Sequence, residues 1–260
     1  MNESELLFTE LLDCSRDKLY FNREYVITQR EAHLLADTLK KRLKGWPIQY
    51  ILGRQEFMGL ELRLTPDVFI PRPETEILIE KAIQIAQGFH AGVKYVLDIG
   101  TGSGCIAISL AVILKDAKVS ATDISNQALE IAKQNAILNN AEINFSQSNL
   151  FPDNKQRNNY DLVVSNPPYI PTSEINNLQP EVGYEPCIAL DGGRDGLDFY
   201  RRIVQEAPAH LRRGGFLILE MGFGQYLSIK ELFNSVEKFQ IIEVVKDYNN
   251  IDRVIVARYG

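Results

Sequence analysis

From Tyr95 onward, short β-rich runs alternate with helical patterns, and this alternation constrains the fold more than any other feature of the chain. Runs at 95–99, 118–122, 142–147, 160–165, 215–221, 239–247 and 253–258 read as strands. Helical spacing falls at 104–115, 126–139, 198–210 and 226–237. Repeated strand-helix units build a parallel sheet, because each crossover helix lays its apolar stripe on a face of that sheet. No helix separates the last two runs, so the final strand is expected to return antiparallel.

The residues before this region follow another rhythm. Thr28-Gln29-Arg30-Glu31 matches a capping box, in which the Thr hydroxyl and the Glu carboxylate satisfy helix-start donors reciprocally. Behind it Ala32, Leu35, Leu39 and Leu43 recur at helical spacing until Gly45 and Trp46-Pro47 supply a stop. Two alternating runs, Gln55 to Phe57 and Leu60 to Leu64, predict a hairpin turning at Met58-Gly59. The stretch Ile70-Pro71-Arg72-Pro73-Glu74-Thr75-Glu76 is a stiff lead-in to a helix running to about Gln87, since proline suits a helix start. The expected organisation is a helical N-terminal domain with its connecting hairpin over residues 1–75 and an α/β domain over residues 76–260, consistent with a length of 260 residues.

A formal charge of -6 argues against a protein whose affinity comes from neutralising many phosphates. Lys40-Lys41-Arg42 with Lys44 is the one visible basic cluster, and it reads as a solvated helix face. Cys14, Cys105 and Cys187 lie far apart without a pairing or metal spacing, which fits reduced thiols. His33, His90 and His210 stand in no ligand spacing either, so no metal is expected. The acidic start Met1-Asn2-Glu3-Ser4-Glu5 with no long apolar run behind it reads as a soluble, cytoplasmic protein without membrane association.

The chemistry concentrates at the carboxyl ends of the strands, where open α/β sheets hold their ligands. After the first strand, Gly100-Thr101-Gly102-Ser103-Gly104 opens a helix. Glycine permits the tight turn and a close backbone approach to a ligand, and the helix start offers free N–H groups. A dinucleotide fingerprint needs glycine at the position of Cys105. Asp123, ending the second strand, can accept bonds from vicinal ribose hydroxyls. Asp98 adds a second negative charge, which suits a ligand carrying a sulfonium and an ammonium better than one carrying a pyrophosphate.

Asn166-Pro167-Pro168-Tyr169 follows the fourth strand immediately. Alone it reads as a strand-ending loop; beside the glycine turn it reads as chemistry. A residue before proline is held extended, so Asn166 and Pro167 are both restricted. The Asn166 side-chain oxygen and the Pro167 carbonyl can then stand as fixed acceptors for both hydrogens of a planar NH₂, with the Tyr169 ring against its plane. Such a pair suits an amide or an aromatic amine, whose lone pair is delocalised. Acceptors already aimed at N–H bonds stabilise the charge that grows on nitrogen as a methyl group arrives.

With these motifs the chain resembles the peptide chain release factor N5-glutamine methyltransferases of the HemK/PrmC type. The matching stretches are Gln49 to Gly53, Ile70 to Glu76, Asp98 to Gly104, Ser165 to Tyr169, Glu185-Pro186, Ala189-Leu190, Gly192-Gly193 and Asp195 to Leu197, so the likeness runs from about Pro47 to the C-terminus. The resemblance implies a class I S-adenosylmethionine-dependent methyltransferase fold, Rossmann-like, with a seven-stranded mostly parallel sheet and a small helical N-terminal domain. It implies S-adenosyl-L-methionine as cofactor, bound by Asp98, Gly100, Thr101, Gly102, Ser103, Gly104, Asp123, Asn149 and Asn166. Asn149 stands where this family often has an acidic residue near the adenine. Asn166, Pro167, Pro168 and Tyr169 would grip the glutamine of the Gly-Gly-Gln loop in bacterial release factors 1 and 2, docked with help from the N-terminal helices.

Three other readings compete. An N6-adenine methyltransferase also acts on a planar exocyclic amine and must extract its base from a stack, but the charge of -6 weighs against it. A nicotinamide-dependent oxidoreductase would share the glycine turn, but Cys105 and the lack of an evident proton relay oppose it. A non-catalytic binding module is opposed by the intact tetrapeptide. The long segment from Thr172 to Arg194 is expected to face the substrate, its individual residues unassigned.

Overall fold

The computed structural model describes residues 3–21, 26–89, 92–152 and 160–260. Met1, Asn2 and His90 lie outside these. The chain begins with helices α1 (Glu3–Leu11), α2 (Arg16–Phe21), α3 (Gln29–Leu43) and α4 (Ile48–Leu52). The capping box forms as expected: Thr28 Oγ1 accepts from the Glu31 N–H, and Glu31 Oε2 accepts from the Thr28 N–H at 2.7 Å. The expected helix forms, but its apolar stripe is covered only in part. Leu35 is buried, but Leu39 and Leu43 are 47% and 87% exposed. Helices α1 and α4 are shorter than α3 and cover part of its length.

Strands β1 (Arg54–Phe57) and β2 (Leu60–Arg63) form the expected hairpin. Met58 and Gly59 at its tip both have positive φ, the mirror-image turn whose twist matches that of the paired strands. Helix α5 (Pro73–Gln87) follows with proline at its start. The remaining elements are β3 (Tyr95–Ile99), α6 (Cys105–Ile113), β4 (Lys118–Asp123), α7 (Asn126–Leu138), β5 (Ile143–Gln147), β6 (Tyr160–Ser165), α8 (Asp198–Glu206), β7 (Leu211–Glu220), α9 (Tyr226–Val236), β8 (Phe239–Lys246) and β9 (Asp252–Tyr259).

All seven expected strands join one sheet in the order β5-β4-β3-β6-β7-β9-β8. Strands β5 through β7 are parallel, and β9 runs antiparallel to both of its neighbours, as the missing helix implied. Two apolar cores cover the faces. One packs α5 and α6 with Val96, Leu162 and Ile218, and the other packs α8 and α9 with Leu97, Val163 and Leu219. Alternate residues of the same strands thus face opposite cores, which is why β6 is buried along its whole length.

Two boundaries differ from the expectation. Helix α8 stops at Glu206 and passes into a 3₁₀ turn at Ala207–Ala209, because Pro208 has no N–H to donate. Strand β7 starts at Leu211, pairing with Tyr160 ahead of a register shift. The order of chain tracing reverses between β3 and β6, and this switch point opens a crevice beyond their carboxyl ends. Among the described residues, no helix is long and apolar enough to cross a membrane.

Candidate active site

A cavity of about 290 Å³ fills that crevice. Its walls include Gly100, Thr101, Gly102 and Ser103 from the turn after β3, Asp123 from β4, Asn149, and Asn166 to Tyr169 after β6. The structure therefore brings together the glycine turn and the tetrapeptide, 60-odd residues apart in sequence. Asp98 and Gly104 do not line the cavity.

The turn is held from the β4 side. Thr122 O accepts from the N–H groups of Gly100 and Thr101, each at 2.9 Å. Asp123 Oδ2 accepts from the Gly102 N–H at 2.8 Å, and Oδ1 accepts from the Ser125 N–H at 2.9 Å. Gly100 and Gly102 have φ of 70° and 55°, with open space where a side chain would stand. Gly104 is constrained differently: a Cβ there would lie 2.9 Å from Ile108 Cδ1 and 3.2 Å from Ala132 Cβ, so its bareness lets α6 pack on α7.

Asp98 sits behind the turn, fully buried, with Oδ2 accepting from Thr101 Oγ1 at 2.6 Å and Oδ1 unpartnered. Burial pushes its carboxyl up to about 7, against the Thr101 hydrogen bond. Burial also raises Asp123, opposed by its backbone donors. Asn149 Oδ1 accepts from Arg202 Nη1 at 3.0 Å, and Arg202 also lines the cavity. Sequence reasoning missed Arg202, since nothing local distinguishes it from the adjacent Arg201 on α8.

The tetrapeptide is braced on three sides. Asn166 Nδ2 donates to Thr75 Oγ1 at 3.2 Å, and Thr75 Oγ1 donates to Glu220 Oε2 at 2.8 Å. Burial pushes the Glu220 carboxyl up to about 7, with Thr75 pulling it back. Gln225 Nε2 donates to Tyr169 O at 2.9 Å. The segment 190–192 runs beside Ile170, with the Ile170 N–H on Leu190 O and the Gly192 N–H on Ile170 O. A Cβ at Gly192 would lie 2.8 Å from Pro168 O, and one at Gly196 only 2.3 Å from Tyr169 O. These glycines let the 192–196 loop rest directly on the tetrapeptide backbone, which gives the long Thr172–Arg194 segment its place. Burial raises the Tyr169 hydroxyl well above its ordinary range.

The proline-rich lead-in supplies another wall. Val68, Phe69 and Pro71 line the cavity. Arg72 pairs with Glu185, whose Oε2 also accepts from the Ile70 N–H at 3.1 Å. Glu185 thereby ties the lead-in to Pro186, Ile188 and Leu190, which also line the cavity. The same segment reaches the N-terminal helices: Tyr184 Oη donates to Lys44 O at 2.7 Å, and Arg42 pairs with Glu181 at 2.6 Å.

Known proteins can be set beside this geometry. Residues 75–179 match the methyltransferase small domain family, and residues 1–53 match the PrmC N-terminal domain family. A release factor glutamine methyltransferase from Geobacter sulfurreducens is 44% identical over 99% of this chain and 89% of its own length. One from Bacillus cereus is 39% identical over 98% of this chain and 92% of its own. The crystal structure of a methyltransferase from Pyrococcus furiosus superposes with a TM-score of 0.59 at 21% identity, covering 89% of this chain and 98% of that one. That last likeness concerns the fold, which is the class I methyltransferase fold with a helical N-terminal region. Identity at this level over nearly its full length means that the chain belongs to the release factor glutamine methyltransferase family.

Proposed function

We propose that the protein transfers a methyl group from S-adenosyl-L-methionine to the side-chain amide nitrogen (N5) of the glutamine in the Gly-Gly-Gln motif of bacterial release factors 1 and 2. The observation that carries this reading is the Asn166 side chain in the cavity wall with its NH₂ donating to Thr75, which leaves Oδ1 as the end of the amide available to accept.

The cavity fits the cofactor. Gly100 and Gly102 leave open space at the turn, Asp123 presents a carboxylate, and Val68, Phe69 and Leu150 supply apolar wall. Gly100 to Ser103 would hold the methionine portion and Asp123 the ribose, with Asn149 near the adenine. Asp98 and Gly104 support the turn from behind. When bound, the cofactor supplies an electrophilic methyl on a sulfonium. Asn166 Oδ1 and Pro167 O accept the two N–H bonds of the glutamine amide, fixing the nitrogen and its lone pair toward that methyl. The same acceptors stabilise the positive charge developing on nitrogen. Tyr169 packs on the amide plane and excludes water. No strong base is required before transfer, because the methylated amide loses its proton afterwards to water.

The helical N-terminal domain supplies part of the release-factor docking surface. Leu34, Leu39 and Leu43 on α3 and Phe21 on α2 are exposed there, a use for apolar side chains that the small core leaves uncovered. The reaction is cytoplasmic and involves neither membrane nor direct nucleic-acid binding.

Mass spectrometry of a release factor incubated with the protein and S-adenosylmethionine tests the proposal. One added methyl on the Gly-Gly-Gln glutamine, lost with Asn166→Ala, is the expected result. Methylation of duplex DNA with none on the release factor refutes it.

A further inference from the structure

We infer that Thr75 and Glu220 are positioning residues that hold Asn166 in the one of its two amide orientations that turns the oxygen toward the substrate. The inference rests on the function proposed above. An asparagine amide is nearly symmetric in shape, and a half-turn about its last torsion exchanges an acceptor for a donor. Only one orientation accepts an N–H from the substrate; the other sets NH₂ against NH₂.

The hydrogen-bond chemistry removes the ambiguity. Thr75 Oγ1 lies 2.8 Å from Glu220 Oε2 and 3.2 Å from Asn166 Nδ2. Above about pH 7, where Glu220 is ionised, its carboxylate only accepts, so the single Thr75 hydroxyl proton points at Glu220. The lone pairs of that hydroxyl then face Asn166, and only the NH₂ end satisfies them. Asn166 also helps lower the Glu220 carboxyl against its burial, as a donor group turned toward that carboxyl would. Thr75 and Glu220 are 1% and 2% exposed, so water does not compete for these bonds. A chain of bonds running from Asn166 to a carboxylate also polarises the Asn166 carbonyl and makes it a stronger acceptor.

The three residues come from distant parts of the chain. Thr75 stands in the first turn of α5, Asn166 follows β6, and Glu220 ends β7. The Glu220 main chain is fixed by the β7–β9 ladder and by Tyr200 Oη, which donates to its carbonyl at 2.8 Å. A buried carboxylate is costly to fold around. Orienting the acceptor explains its presence better than a staple between α5 and β7, which an apolar contact would provide at no such cost.

The test measures kcat for release-factor methylation and, in the same preparations, S-adenosylhomocysteine binding by calorimetry, for Thr75→Val, Thr75→Ser and Glu220→Gln. Thr75→Val keeps the shape and deletes the relay; kcat is expected to fall roughly 10- to 100-fold while S-adenosylhomocysteine binding stays within about twofold. Thr75→Ser keeps the hydroxyl and is expected to restore kcat to within about threefold of the wild type. A Val variant retaining kcat to within about twofold, or a Ser variant as impaired as Val, overturns the inference. If Thr75→Val does not fold, Glu220→Gln decides: its amide offers Thr75 a donor as well as an acceptor, so a drop of roughly tenfold supports the relay and an unchanged kcat overturns it. A wild-type enzyme that leaves the release factor unmethylated overturns the proposed function itself, an outcome distinct from any pattern among the variants.

Discussion

Asn135 is the most informative place to perturb the scaffold. It lies fully buried on α7, and its side chain joins three segments. Oδ1 accepts from the Arg63 N–H at 2.7 Å, while Nδ2 donates to Arg63 O at 3.0 Å and to Ser103 O at 2.8 Å. One amide thus pins the hairpin to α7 and braces the glycine turn. Asn135→Ala deletes three bonds worth about 1 kcal/mol each and strands the Ser103 carbonyl in the interior, for a total near 4 kcal/mol. Against a usual stability of about 5–15 kcal/mol the variant still folds at 25 °C. At about 2–4 °C per kcal/mol for a chain of this size, its thermal midpoint falls by about 12 °C. Asn135→Asp is a sharper probe. It keeps the acceptor for Arg63 N–H but sets an oxygen against two carbonyl oxygens, so it destabilises more than Ala despite its closer shape. Thermal and urea unfolding of the cofactor-free protein, followed by circular dichroism, measures both. A loss under about 3 °C for Ala, or an Asp variant more stable than the Ala variant, refutes the reasoning.

Other expectations concern the site. Asn166→Ala lowers kcat by about 10²- to 10³-fold, a far larger effect than its loss of S-adenosylhomocysteine affinity, as steady-state kinetics beside calorimetry will show. Asp123→Ala removes charged hydrogen bonds to Gly102 and Ser125 as well as the ribose acceptor proposed above, so S-adenosylhomocysteine binds roughly 10- to 100-fold more weakly; affinity within twofold of wild type contradicts this. Gly192→Ala drives a methyl into Pro168 O and the Tyr169 backbone, costing about 1–3 kcal/mol in urea unfolding and displacing the tetrapeptide enough to lower kcat. Asp98 and Glu220 give a pH signature. Burial pushes both carboxyls up to about 7 in the folded protein, whereas an unfolded chain releases these protons near about 4. Between those values the folded state holds more protons, so the stability of the cofactor-free protein falls as pH rises from about 4 to 7 and this contribution levels off above. Asp98→Asn and Glu220→Gln each flatten that slope in urea midpoints measured against pH.

How much of this was legible in the sequence depends on how locally each feature is encoded. Strand-helix alternation is a short-range pattern, and the seven strands and the antiparallel return followed from it. The capping box and the Met58-Gly59 turn are likewise complete within a few residues. Apolar spacing marks Leu35, Leu39 and Leu43 alike although only Leu35 is buried, because periodicity marks a stripe without saying how far the neighbouring helices extend to cover it. The glycine turn and the tetrapeptide were readable as ingredients of a site. Their supports were not readable as supports: Thr75, Glu185 and Gly192 lie in matched stretches that carried no role, and Asn135 and Glu220 lie outside them, because these residues act on partners 32 to 145 residues away or through a steric contact that exists only after folding. Glu220 did leave a faint signal, a carboxylate closing the otherwise apolar strand run Phe216 to Leu219. The division has a physical cause. A group that touches the substrate needs a particular backbone conformation, which a few residues such as Asn-Pro-Pro can impose by themselves. A group that orients it must reach in from another loop, and a parallel sheet gathers loops from far-apart segments at one edge. Chemistry at such an edge is written in a short motif, while its precision is written across the whole chain, so substitutions far from the tetrapeptide in sequence can still misalign the acceptor it presents.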